Sequence, residues 1–124
     1  MKTSRQQIEQ AKRAYIVELT DRPNSMRDRF SIYLDAGEGL QILWADYSFK
    51  KSKDNELLSE IVINKKDLLD YQVHTNNRKY PAFHFVLNGG NYGKEHALGQ
   101  MLREINPSIE VFTINGHSPS PVSL

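Results

Sequence analysis

The chain has no cysteine among its 124 residues. Disulfide frameworks, thiolate zinc sites, iron–sulfur clusters and cysteine nucleophiles are therefore excluded. Long apolar runs are missing too. None exceeds four residues, whereas a membrane-spanning helix needs about 20. Charge of one sign is also lacking. Sixteen Lys and Arg face fifteen Asp and Glu, a net charge of +1, which excludes a strongly polycationic or polyanionic protein. The stretch Met1-Lys2-Thr3-Ser4-Arg5-Gln6-Gln7 is polar and no apolar segment follows it. No secretory signal is read there, and the cytoplasm is the default compartment.

What is present fits a folded domain. Hydrophobic residues make up 39%, charged residues 25% and aromatic residues 10%. These fractions exclude a disordered chain, a collagen-like repeat and a coiled coil. The length suits one domain able to bury a real core. Residues 1–114 read as a single α+β domain. Residues 115–124 hold Gly116, Pro119, Pro121 and three serines, and read as a flexible C-terminal tail.

Periodicity places the elements. Ile8, Ala11, Tyr15 and Leu19 recur at helical spacing and predict an amphipathic helix over 4–19, capped by Thr3 or Ser4. The rival is a strand at 14–19, where Tyr15, Val17 and Leu19 alternate. Residues 29–35 alternate clearly, with Phe30, Ile32 and Leu34 opposite Arg29, Ser31, Tyr33 and Asp35. Ala36-Gly37-Glu38-Gly39 makes a turn, and 40–49 return as the second arm of an antiparallel hairpin. A charged connection follows at 50–56, then a short apolar strand at 61–63. Asn64 can cap a helix over 65–71. Residues 81–87 are apolar on both faces, the pattern of an interior strand. Leu98, Met101, Leu102 and Ile105 define a helix over 94–105, stopped by Asn106-Pro107. A last strand spans 109–114. The expected fold is an α+β mixed sheet with that hairpin and two to three helices packed on it. The unit 81–114 suits a parallel crossover.

Few residues select a chemistry. The loop Asn88-Gly89-Gly90-Asn91-Tyr92-Gly93 precedes Lys94 at a helix start. Backbone N–H groups there can cradle an anion or nucleotide, through Asn88, Gly89, Gly90, Asn91, Gly93 and Lys94. The spacing matches neither a dinucleotide fingerprint nor a P-loop, and an ordinary structural turn uses the same residues. His74, His84, His96 and His117 form no metal-ligating pair, so neither a metal nor a cofactor is expected. No serine lies in a nucleophile elbow and no carboxylate pair stands out, so the reading leans away from an enzyme. Asp46, a charge in an otherwise apolar strand, is expected to pair with Arg29 or Arg27 across the hairpin.

The hairpin carries the densest set of recognition residues: Arg27, Arg29, Tyr33, Trp44, Tyr47, Phe49, Lys50 and Lys51. Aromatic and Arg clusters of this kind are enriched at interface cores. They point to a small binding protein acting through protein–protein contacts, as a regulator, inhibitor or adaptor. The same aromatic and basic residues suit single-stranded nucleic acid, with Arg29, Tyr33, Tyr47 and Phe49 projecting from one hairpin face. Charge favours this only slightly: residues 1–53 carry a net of +3 and residues 54–124 a net of −2. Anion binding at 88–94 is a third reading. An exposed hairpin edge allows a homodimer.

Overall fold

Thr3 opens the first helix. Its hydroxyl accepts from the Gln6 N–H at 3.1 Å while the Gln6 side chain accepts from the Thr3 N–H at 2.9 Å, a reciprocal capping box. The helix, α1 (Ser4–Gln10), is only seven residues long. Ala11 is extended, and the chain continues as β1 (Arg13–Thr20). A single helix over 4–19 is thus corrected, in favour of the rival strand. Tyr15, Ile16 and Val17 are aromatic or β-branched, types that favour a pleated surface. Here β1 gains ladder bonds on both sides, from an antiparallel and a parallel neighbour.

The computed structural model describes residues 3–20, 27–51, 53–54, 57–65, 83–88, 93–115 and 118–124. Beyond β1 it contains β2 (Arg27–Asp35), β3 (Leu40–Lys51), β4 (Leu57–Lys65) and β5 (Phe83–Asn88). The helix α2 (Lys94–Ile105), β6 (Glu110–Asn115) and β7 (Ser118–Pro121) follow. The seven strands form one mixed sheet in the order β5-β4-β3-β2-β1-β6-β7. Five consecutive strands form an antiparallel meander, and β6 joins parallel to β1. The α+β class is confirmed, with two helices among the described residues.

The hairpin lies where the alternation puts it. Gly37 and Gly39 have φ of +92° and +97°, a conformation that favours glycine. The Asp35 carboxylate accepts from the Gly37 N–H at 2.9 Å and fixes the turn. Other boundaries move. Lys50 and Lys51 extend β3 instead of starting a charged connection, and the short strand at 61–63 is a nine-residue β4. Lys65 ends that strand; the rest of the helix expected over 65–71 lies outside the described residues. Of the interior strand expected at 81–87, the described part is β5, which ends the order of the described strands, because the longer β4 occupies the place beside β3. β5 and β6 therefore do not neighbour each other as a crossover pair, and α2 carries the chain from one end of the sheet to the strand beside β1. Within the expected tail, Ser118–Pro121 pairs with β6 as a seventh strand.

Both helices bury their apolar sides against one face of the sheet. Ile8 from α1 and Ala97, Leu98, Met101 and Leu102 from α2 meet Ala14, Ile16, Phe30, Ile32, Leu34, Leu43, Ala45, Ile61 and Ile63. One buried side chain ties the two helices together. The Asn106 amide, at the C-cap of α2, donates to the carbonyls of Ile8 (3.0 Å), Glu9 (3.3 Å) and Ala11 (2.7 Å). Its carbonyl oxygen accepts from the Ser108 N–H and hydroxyl. The end of α1 thus has its orphan carbonyls satisfied by the end of α2.

The chain end returns to α2. Val122 donates to the Val111 carbonyl, and a Cβ added at the buried Gly99 would lie 2.8 Å from Leu124 Cδ2. Two outcomes are expected on unfolding in denaturant. Asn106→Ala lowers stability by about 2–4 kcal/mol, because several buried carbonyls lose their donor. Gly99→Ala is close to neutral alone but gains up to about 1 kcal/mol when Leu124→Ala has cleared the space.

Candidate functional site

Strand alternation divides the sequence-predicted residues between two faces. Cross-strand partners share a face, and Tyr33 pairs with Ile42, Ser31 with Trp44 and Arg29 with Asp46. These six lie on the face away from the helices. Tyr47 lies on the opposite face, 1% exposed within the helix-side core. The grouping of Tyr47 with Arg29 and Tyr33 on one projecting surface is therefore corrected: an odd step along β3 separates Tyr47 from Trp44. Arg27, Phe49, Lys50 and Lys51 lie in the ladder opposite Ser48, Ser59, Leu58 and Leu57.

The face away from the helices is built in rows that cross the strands. One row runs Phe112, Tyr15, Tyr33, Ile42 across β6, β1, β2 and β3. The Tyr15 and Phe112 rings stack with centroids 5.4 Å apart and planes 19° from parallel. Pro121 of β7 extends the row beyond Phe112. The next row holds Val17, Ser31 and Trp44, and the third Arg29, Asp46 and Val62. Tyr15, Val17, Tyr33, Ile42, Trp44, Val62, Phe112 and Ile114 are all half-buried, and no described helix covers them. At the rim, Leu40 is 60% exposed and Leu19 is 45% exposed.

The expected ion pair is present at the centre of this face. Arg29 Nε donates to Asp46 Oδ1 at 2.9 Å, and its guanidinium lies 4.9 Å from the centroid of the Trp44 ring. The carboxylate is almost wholly enclosed and the Arg side chain only a quarter exposed. The cation is thus held by a counter-ion and an aromatic face together. Beside it, Ser31 Oγ and Trp44 Nε1 are buried with no hydrogen-bond partner among the described residues. Sequence reasoning missed Tyr15 and Phe112. The alternation of Tyr15, Val17 and Leu19 is the signal for Tyr15, and it competes with the helical spacing of Ile8, Ala11, Tyr15 and Leu19.

A second polar cluster lies on the helix side, below the start of α2. Tyr47 and Ser59 share a hydroxyl–hydroxyl hydrogen bond at 2.8 Å. The Lys94 ammonium pairs with Asp28 and lies 4.0 Å from Glu18. Lys94 is therefore turned under the helix into two carboxylates, and its charge is compensated there. Of the other residues expected to cradle an anion, Asn88 ends β5 and Gly93 is the N-cap of α2. Gly89, Gly90 and Asn91 lie outside the described residues, as do His74 and His117. Among the described residues no group of three His, Asp or Glu is placed to hold a metal, and no helix is long and apolar enough to cross a membrane.

Burial raises the Tyr47 phenol above its ordinary value of 10.0; the Ser59 hydrogen bond and the nearby Lys94 charge oppose this, and Asp28 adds to it. The folded state then keeps its proton where the unfolded chain has lost it. Stability from this group is complete below about pH 10 and falls as pH rises from there through the higher folded value. Tyr47→Phe should flatten that alkaline loss in pH-dependent unfolding. At neutral pH it should cost about 1–2 kcal/mol, because Ser59 Oγ loses its partner.

No family model matches the chain, and comparison with curated proteins and with solved structures finds no match.

Proposed function

We propose that this protein is a non-enzymatic binding module that engages another protein through the sheet face away from its helices. The observation that carries this reading is the one-sided cover. Both described helices pack on the same side, while the aromatic and aliphatic rows around Tyr15, Tyr33, Ile42, Trp44 and Phe112 lie on the other, with no described helix over them. A contiguous apolar surface rimmed by polar residues marks an interaction site in a folded protein. The composition is that of an interface core: tyrosine, tryptophan, phenylalanine and one arginine held rigid by its own ion pair. The unpartnered Ser31 hydroxyl and Trp44 indole N–H lie beneath the same surface.

Among the described side chains, charge on this face favours protein over nucleic acid. Its described ionisable side chains include Arg13 and Arg29 but also Asp35, Asp46, Glu60 and Glu110. A strand of phosphates requires a basic surface. Moreover Tyr47, one of the proposed stacking residues, lies under α2.

The test is capture of partners by the tagged full chain in its own host, with and without nuclease, followed by measured affinity for what is captured. Tyr33→Ser combined with Ile42→Ser removes a cross-strand pair at the centre of the face. It should weaken a nuclease-resistant protein complex by at least about 30-fold, the size of a strong interface anchor. Glu104→Lys, on the exposed side of α2, should leave affinity unchanged. Equal affinity of the double variant and the native chain refutes the assignment to this face. Loss of the complex on nuclease treatment transfers the function to nucleic acid.

A further inference from the structure

We infer that the chain forms a twofold dimer by antiparallel pairing of β5 with the β5 of a second copy. The inference starts from the two ends of the sheet, which differ in chemistry. At one end is β7, Ser118-Pro119-Ser120-Pro121. Proline has no N–H, so within a paired strand it is confined to positions whose N–H would face away from the partner. Val122, the next residue in the series 118, 120, 122, donates to Val111 of β6. The alternate positions, 119 and 121, therefore face outward, and both are proline. The outer edge of β7 offers carbonyls and no donor along its length. No further strand can continue the ladder there.

The other end is β5, Phe83-His84-Phe85-Val86-Leu87-Asn88. It pairs with β4 on one side and is the terminal strand of the described sheet. Every residue in it carries a backbone N–H, so alternate residues direct a donor and an acceptor outward. Natural edges are blunted by charge, proline or a bulge. None of the six residues is Lys, Arg, Asp, Glu or Pro, and the pairing with β4 runs from Asn88 to Phe83 without a break in register. The sequence has the pattern of an interior strand, apolar on both faces, at a position that ends the described sheet.

The contrast between the ends selects the occupant. Pairing of β5 with β7 of another copy would be head-to-tail and would grow without limit; the two prolines prevent it. Pairing of β5 with itself is isologous and stops at two. Antiparallel self-pairing sets the dyad normal to the sheet. The described helices of both copies then lie on one side, and the two aromatic faces lie side by side on the other. This interface is separate from the face proposed to bind a protein partner.

The absence of native cysteine makes the test direct. Mass is measured in solution over a range of concentrations for the full chain. Six single-cysteine variants, one at each of positions 83–88, are then air-oxidised. The expected result is a concentration-dependent species of twice 14.3 kDa. Disulfide-linked dimer should peak at one or two central positions of β5 and fall toward both ends, since residues near the dyad meet their own copies. Val86→Lys gives a second readout. Val86 lies opposite Glu60 within the chain, so a lysine gains an acidic neighbour there while two like charges are brought toward each other across the dyad. It should shift the mass to that of one chain with the fold retained by circular dichroism. A single-chain mass at every concentration overturns the proposal. So does a dimer that cross-links through Tyr33→Cys and at no β5 position. Tyr33→Ser with Ile42→Ser should leave the dimer intact. Loss of dimer with partner binding retained refutes the β5 interface alone, and loss of partner binding with the dimer retained refutes only the face.

Discussion

The Asn106 side chain is the point on which the layout turns. Its amide serves carbonyls at the end of α1 and its carbonyl oxygen organises the turn after α2. Both helix ends are thereby fixed to one location, beside the entry into β1 and β6. There Lys12 donates to Asp35 and Glu110 donates to Lys12. Main-chain groups at two helix ends, buried together, need partners that neither helix supplies for itself. One asparagine provides both a donor group and an acceptor, which a charged or purely donating side chain does not. Once both helices are joined there, they can cover only one side of the sheet. The aromatic face on the other side is a consequence of this junction as much as of the residues that line it.

Alternation then decides which chemistry reaches which side. Along β3, Trp44 and Tyr47 lie three residues apart, and an odd number of steps on a pleated strand changes face. Trp44 accordingly lies with Arg29, Ser31 and Asp46 on the side away from the two described helices, whereas Tyr47 lies with Ser59 below α2. Lys94 follows the same logic from the helix side. Its ammonium enters the interlayer space and finds Asp28 and Glu18. The two polar clusters differ in kind. In the one below α2 the Tyr47 and Ser59 hydroxyls bond each other and Lys94 faces Asp28 and Glu18. The one around Arg29 retains two unpartnered buried groups and has apolar rows on its flanks.

The hairpin, α2 and the Arg29–Asp46 pair were legible because each rests on a local rule. Phe30, Ile32 and Leu34 alternate without interruption, Gly37 and Gly39 permit the turn, and Leu98, Met101, Leu102 and Ile105 repeat at helical spacing. The misread elements are those where one stretch satisfies two periods. Ile8, Ala11, Tyr15 and Leu19 fit a helix, while Tyr15, Val17 and Leu19 fit a strand. Only the ladders with β2 and β6 decide between them, and those are contacts with distant sequence. The same holds for β7, whose Ser-Pro repeat resembles a loop until β6 is present to pair with it. In the sequence Asn106 is part of a helix stop, Asn106-Pro107. Its reach to Ile8, 98 positions earlier, has no local signature. The aromatic row was hidden for the same reason, because Phe112, Tyr15, Tyr33 and Ile42 meet only through strand order.

Strand order also explains why an apolar strand can stand at the end of a sheet. Residues 83–87 read as interior because both alternating sets are largely apolar. A strand of this composition left at an edge exposes backbone donors and acceptors together with a sequence favourable to pairing. The opposite edge shows how this chain closes a sheet, with prolines at each outward position of β7. A described sheet with one edge blocked by its backbone chemistry and a β5 at the other end free of charge, proline and bulge is asymmetric in a way that suits pairing with one further copy. With twofold pairing the interior pattern of β5 and its terminal place in the chain are no longer in conflict. The aromatic faces of two copies then form one surface, doubling the aromatic rows available to a partner without changing the contacts within either copy.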